Sequence, residues 1–322
     1  MEGRPTRLLA YGAVCEHNDA MKILVTGAAG TLGRALIPRL VERGDEVVAV
    51  DVRQGTAEAE WIIGDIRDAA VVMDAAAGSD LIDHGAAFHG IHLSERSRRE
   101  FFDLNVLGTF NVWEAAVEHG VRGVVFSSTM GVYGDSRRPS ADDEVVILDE
   151  EVPLLPGDVY GWTKVVGEEL CRFHTRTSGI PSIALRYGMF VPEPFFRYGV
   201  RLLYGGVHEA DVADAVVAAL DSLAAGHTGF EALNVESPLP FTADDAADLR
   251  RDPMAAIDRH WPGSADLLRS RGVDVLKPIT EVFPVTRLEQ KLGVRGRHDF
   301  TEWLRQLDQR PDERTGTSPP WP

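Results

Sequence analysis

The chain has 322 residues, of which 44% are apolar and 26% charged, so a folded core is available and global disorder is excluded. Lysine and arginine total 33 against 50 acidic residues, a net charge of −17 that argues against nucleic acid, which needs a basic footprint. Cys15 and Cys171 offer neither a disulfide framework nor metal-ligand spacing, and no apolar run approaches the roughly 18 residues of a membrane span.

The pattern begins with residues 1–20, a short apolar patch between polar flanks without a convincing cleavage site. It reads as a disordered extension of a cytoplasmic protein. From Met21, strand and helix alternate. Ile23-Leu24-Val25 is a short buried-strand run, and Leu32–Val41 has helical spacing. Val47–Val50, Trp61–Ile63, Leu81-Ile82 and Val124–Phe126 are four further strand candidates. A helix is expected from Ser97 to His119, another from Tyr160 to Thr177, a strand at Ile183–Leu185 and a helix from Asp211 to Leu223. Such alternation implies parallel pairing through right-handed crossovers, hence an α/β doubly wound parallel sheet. After Gly226 the regularity decays, and Pro238, Pro240, Pro253, Pro262, Pro278 and Pro284 punctuate short helices. We therefore expect a sheet domain from 21–188 and 207–236, a small C-terminal substrate lobe from 189–206 and 237–309, and a loose tail at 310–322. The acidic run Asp142-Asp143-Glu144 with Asp149-Glu150-Glu151 reads as solvated surface.

Thr26-Gly27-Ala28-Ala29-Gly30-Thr31-Leu32-Gly33 sits where the first strand becomes the first helix. Glycines at that place permit a tight turn, close approach of a pyrophosphate to backbone, and tight helix–strand packing. The helix N-terminus, at Thr31 and Leu32, offers unpaired N–H groups and a positive dipole end, so even an acidic protein can hold a dinucleotide there. The spacing is GxxGxxG, a weak signal alone that its strand–helix context strengthens. Asp51 closes the second strand, where a carboxylate accepts both ribose hydroxyls of NAD and repels the 2′-phosphate of NADP. Arg53 tempers that preference, and the competing reading of Asp51 is a turn residue. Asp65 and the adjacent Ile66 amide follow the third strand, placed to meet an adenine, although Asp65 could equally cap a helix.

Tyr160 and Lys164 stand four apart on one helical face. With four lysines and six tyrosines in the chain, chance supplies only about 0.07 such pairs. A free phenol titrates near pH 10, and acting as a base near pH 7 requires about 4 kcal/mol of help. One ammonium about 4 Å away supplies about that much at an effective dielectric near 20. The competing reading is an exposed helix-face pair. Ser127, Ser128 and Thr129 end the fifth strand, where open α/β sheets place ligands and a hydroxyl can hold a reacting oxygen. Strand ends also carry such residues merely to satisfy turns.

These segments, with His84-Gly85-Ala86-Ala87, Asn105-Val106-Leu107-Gly108-Thr109 and Ser127–Gly134, occur in an order that resembles the extended short-chain dehydrogenase/reductase family, the NAD-dependent sugar epimerases and dehydratases. The resemblance covers about Lys22 to Asn234, and includes the segment His208–Ala213. It implies a Rossmann fold, a homodimer, Thr129 as the active-site hydroxyl, Tyr160 as acid/base and Lys164 as its partner. It also implies cofactor contacts from Gly27, Gly30, Thr31, Leu32, Gly33, Asp51, Asp65, Ile66, Ala86, Asn105, Ser127, Tyr160 and Lys164.

Departures bear on the substrate. Met130-Gly131 stands where dehydratases of the family carry Asp-Glu, which argues against dehydration. No Asn follows Arg186 closely, and the stretch from Pro192 to His208 is short for wrapping a nucleotide diphosphate. This shortness is similar to members that oxidise free sugars or uronic acids. Ser128, Thr129, His89, His92, Ser94 and Arg201 are the candidate substrate contacts. The expected activity is hydride transfer from a carbinol carbon of a sugar or nucleotide sugar to NAD, ending in epimerisation or in dehydrogenation. A non-catalytic NAD-binding sensor or scaffold is the competing class, for which Tyr160 and Lys164 would be superfluous.

Overall fold

The computed structural model describes residues 20–138 and 145–314. The expected N-terminal extension, apart from residue 20, lies outside these, as do Asp142-Asp143-Glu144 and residues 315–322 of the expected tail.

The chain runs β1 (Lys22–Thr26), α1 (Thr31–Glu42), β2 (Glu46–Asp51), β3 (Glu60–Ile63), α2 (Ala69–Ala76), β4 (Leu81–His84), α3 (Arg98–Phe102), α4 (Gly108–Glu118) and β5 (Gly123–Thr129). It continues with β6 (Val146–Ile147), α5 (Val159–Ser178), β7 (Ser182–Tyr187), α6 (Phe195–Arg201), α7 (Glu209–Ala224) and β8 (Phe230–Val235). The remainder is α8 (Ala246–Arg251), α9 (Pro253–His260), α10 (Ser264–Ser270), β9 (Glu281–Val282), α11 (Thr286–Leu292) and α12 (Phe300–Asp308).

Seven strands form one parallel sheet in the order β3-β2-β1-β4-β5-β7-β8, and β6 pairs with β9 separately. Strands buried on both faces need apolar runs rather than alternation, which is why β1 and β5 read as they do. Leu36, Ile37 and Leu40 of α1 recur at helical spacing and pack with Val212, Val216 and Leu220 of α7 on one face of the sheet. Val72 of α2, Val112 and Trp113 of α4, and Cys171 of α5 cover the other. A separate core collects Phe195, Phe196, Leu249, Ile257, Leu268, Phe300 and Trp303 from α6, α8, α9, α10 and α12. The strand order reverses between β1 and β4, and it is at such a switch point that an open sheet leaves a crevice outside its carboxyl ends.

Three local readings change. The expected helix 97–119 is present and continuous from α3 to α4, but it runs through a widened turn, Asp103–Leu107, with π-type bonding. Ser97 starts it, accepting from Glu100 N while Glu100 reaches back to Ser97 N, a capping box. β8 escapes sequence detection because Glu231 and Asn234 interrupt its apolar run. Both are buried with partners from far along the chain: Glu231 pairs with Arg287 and Lys291, and Asn234 accepts from the Tyr133 hydroxyl. Glu150, expected in solvated surface, instead turns inward and accepts from Asn234 N at 2.8 Å. Among the described residues, no helix is long and apolar enough to cross a membrane.

Candidate active site

A cleft of about 670 Å³ opens at the switch point. Its base is backbone. Gly27 adopts φ +72°, and a Cβ there would come within 2.8–2.9 Å of the Gly85–Ala86 backbone. At Gly33 a Cβ would meet the Ala28 carbonyl oxygen at 2.2 Å. Both glycines therefore let the β1–α1 turn close against its neighbours. Gly30 is the N-cap of α1 and provides no side-chain acceptor, so the first-turn N–H groups at Thr31 and Leu32 remain for a ligand. Uncapped amides, a cradle that Cβ atoms would fill and a dipole end together fit a dinucleotide diphosphate.

Asp51 stands at the rim. Its Oδ2 accepts from Ala29 N at 3.0 Å and its Oδ1 from Arg53 N at 3.1 Å, so the carboxylate also ties the cradle to β2. Asp65 likewise lines the cleft but is not a helix cap; Asp68 caps α2. The Arg67 side chain grips the Asp65 carboxylate and holds its pKa below the usual carboxylate value. Ile66 is buried under the cleft beside Gly108.

The central floor is a one-way chain of hydrogen bonds. Thr109 Oγ1 donates to the Asn105 carbonyl at 2.6 Å, so it accepts from His84 Nε2 at 2.9 Å. His84 Nδ1 then accepts from Thr26 Oγ1 at 2.7 Å, and Thr26 in turn accepts from Ala86 N. Burial pushes the His84 pKa down to about 3, so this imidazole is a neutral strut.

The far wall carries the reactive groups. Asp158 caps α5 by accepting from Gly161 N, which places Tyr160 in the first turn. The Tyr160 hydroxyl faces the Thr129 side chain at the end of β5, close enough for that hydroxyl to favour the phenolate. Lys164, one turn later, faces β5; its Nζ donates to the Ser127 carbonyl at 2.6 Å and lies 4.9 Å from the centre of the Phe126 ring. His89 roofs the phenol edge-on, at 6.4 Å between ring centres, with its pKa driven down to about 4 chiefly by burial.

The expected electrostatics require a correction. Burial raises Tyr160 to about 12, against a lowering contribution from the Thr129 hydrogen bond, and burial also lowers Lys164 to about 7. In the chain alone desolvation outweighs the ammonium, because a closed apolar wall penalises the phenolate and the ammonium alike. The lysine is spent on a carbonyl rather than on the phenol.

Gly27, Gly30, Thr31, Leu32, Gly33, Asp51, Asp65, Ile66, Ala86, His89, His92, Ser127, Ser128, Thr129, Tyr160 and Lys164 all line this one cleft. Three expected contacts are otherwise engaged. Asn105 is not on the cleft surface; its Oδ1 accepts from Phe88 N and its Nδ2 donates to the Phe88 carbonyl and to Thr163 Oγ1. It anchors the β4 loop to α5. Ser128 turns its hydroxyl away, donating to Glu168 Oε1 at 2.7 Å. Arg201 makes a two-pronged pair with Glu193, at 2.6 and 2.9 Å, and does not line the cleft.

Glu168 was not singled out from sequence. It forms a fully buried bidentate pair with Arg186, at 2.9 and 2.8 Å, and accepts from Ser128 next to Thr129. Its signal was the helical repeat Tyr160, Lys164, Glu168, which puts all three on one face of α5. Asp83 and Tyr187, also unforeseen, line the cleft from β4 and β7.

Residues 23–193 match the model of the NAD dependent epimerase/dehydratase family, more than half of the chain. The chain belongs to that family. It is an NAD-dependent enzyme of the extended short-chain dehydrogenase/reductase type. It is 31% identical over 215 residues to a uronate dehydrogenase of Pseudomonas putida, spanning 64% of this chain and 74% of that one. It is 31% identical over 174 residues to a UDP-glucose 4-epimerase of Halalkalibacterium halodurans, 52% of this chain and 50% of the other. A crystal structure of UDP-galactose 4-epimerase superposes with a TM-score of 0.63 at 28% identity, covering 89% of this chain and 97% of that one.

Proposed function

We propose that this enzyme dehydrogenates a carbinol carbon of a free sugar or sugar acid, with Tyr160 as acid/base, Thr129 holding the reacting oxygen and Lys164 fixing the ribose side. The observation that carries the reading is convergence: the phenol, the neighbouring threonine and the buried lysine line the same cleft as the glycine cradle. The glycine cradle and Asp51 would hold oxidised NAD, which would supply a hydride acceptor and a positive charge near the phenol. Thr129 orients the substrate hydroxyl, Tyr160 takes its proton, and Phe88, His89 and His92 limit water above the phenol.

The size of the substrate follows from what leads out of β7. Between Tyr187 and α7 there is room for one helix, α6, and its Phe195, Phe196 and Tyr198 are buried in a core rather than offered to a ligand. Arg197 and Arg201 both pair with Glu193, leaving neither beside the cleft for a nucleotide diphosphate. Similarity to the uronate dehydrogenase over three quarters of its length supports the same choice. Incubation with NAD and a panel of free and nucleotide-linked sugars tests it. Stoichiometric NADH with a free sugar or uronate is expected. Epimerisation of a nucleotide sugar without NADH release would replace this reading with the epimerase one, which shares the first half-reaction.

We also place the enzyme in the cytoplasm as a homodimer. A second copy would cover Phe102 with Trp162, and Phe110 with Phe173, large side chains left about two-fifths exposed along α3, α4 and α5. Trp162→Glu should shift the sedimenting species from dimer to monomer; a wild type that sediments as a monomer ends this part of the proposal.

A further inference from the structure

A carboxyl group in the middle of a parallel sheet demands a reason. Asp83 is the third residue of β4, 1% exposed, and its register partners are Val25 of β1 and Val125 of β5. Leu81, Val25 and Val125 belong to the core shared with α1 and α7, whereas Ile82 packs on the opposite face, so Asp83 points to the α1 side of the sheet. That is the side on which the uncapped N-terminus of α1 waits for a diphosphate. Asp83 lines the cleft, yet its Oδ1 is buried without any hydrogen-bond partner.

The groups around it do not compensate a charge. Tyr187 of β7 is the titratable neighbour in electrostatic contact, and it too is raised well above its ordinary value. On α1, Arg34 bonds the Ala29 carbonyl and Arg39 pairs with Asp214 of α7. Asp211 of α7 is paired with His298, and Lys164, from the other face, donates to Ser127 O. Thr26 of β1 is spent on His84. With burial alone acting, the Asp83 carboxyl titrates at about 7.

We propose that Asp83 is a proton-linked latch on the cofactor: its neutral carboxyl donates a hydrogen bond to a diphosphate oxygen of the dinucleotide, and its carboxylate repels that same group. The inference rests on the NAD-binding reading of the cleft and adds a pH dependence to it. Linkage gives the sign. If only the protonated form binds, the apparent Kd rises with pH above about 7, by at most about 30-fold at pH 8.5 for a single proton.

The test measures Kd of NAD and of ADP-ribose from pH 6 to 8.5 by titration calorimetry, for wild type and Asp83→Asn. Wild type should weaken at least about fivefold over that range for both ligands, and Asp83→Asn should be flat. ADP-ribose keeps the diphosphate and lacks nicotinamide, so a slope for NAD alone would overturn the assigned contact. A variant that keeps the wild-type slope overturns Asp83 as its source. Should Asp83→Asn fail to fold, proton uptake by the wild type on binding at pH 8, read from buffers of different ionisation enthalpy, decides: none overturns the latch. Failure of NAD to bind even at pH 6 would instead remove the cofactor reading itself.

Discussion

The two ends of the cleft are built from different materials. At the end proposed for the diphosphate, the fold offers mainly backbone: a turn with positive φ at Gly27, an absent side chain at Gly33 and uncapped amides at the start of α1. At the substrate end, recognition depends on side chains, and most of the polar ones are engaged with each other. Ser128 of the cleft serves Glu168, and Arg201, expected there, serves Glu193 outside the cleft. Backbone groups at a helix terminus stay available because the helix itself cannot use them, whereas a flexible charged side chain finds a partner wherever one is in reach. The difference teaches that a glycine turn announces its ligand, while an arginine announces only that it will bind an acid.

The sharpest break of this contrast would come at the phenol, which the proposed reaction assigns to proton transfer. Tyr160→Phe should lower turnover by about 10²–10⁴-fold with NAD affinity within about threefold of wild type. Steady-state rates and cofactor titration check both halves, and retained turnover would leave only a nucleotide-binding module. At the backbone end, Gly33→Ala must displace the Ala28 carbonyl, 2.2 Å from the new Cβ. It should cost about 1–3 kcal/mol of stability and weaken NAD far more than it alters KM for the sugar. Normal NAD affinity in that variant would show that the cradle does not depend on its close fit. The smallest effect belongs to Arg201→Ala. Its pair with Glu193 is partly exposed, so a loss below about 1 kcal/mol is expected, with KM unchanged within about twofold. A tenfold rise in KM would return Arg201 to the substrate site.

Much of the site was legible because it is local. The strand–glycine–helix order, Asp51 at the end of β2 and the i, i+4 spacing of Tyr160 and Lys164 are each set within a few residues. The helix through Ser97–His119 was legible as to its place but not its widened turn, since the π-bonded stretch Asp103–Leu107 carries Asn105 towards Phe88 and Thr163, which come from elsewhere in the chain. β8 was illegible for a related reason: Glu231 and Asn234 look polar in sequence and become core residues only when Arg287, Lys291 and Tyr133 arrive. The Tyr160–Lys164 electrostatics could not be judged from spacing, because spacing carries no information about burial. In the folded chain burial dominates and pushes both groups towards neutrality.

The amino-acid order alone determined a doubly wound sheet with a diphosphate cradle at its first turn and a tyrosine and lysine on one helical face. These follow from periodicity, steric permission at glycine and the fixed geometry of a helix, all of which act over one or two turns of chain. Tertiary structure decided which polar groups remain free to meet a ligand and what charge they bear. Those outcomes depend on partners more than a hundred residues away and on how completely water is removed, as between Tyr133 and Asn234 or at Asp83.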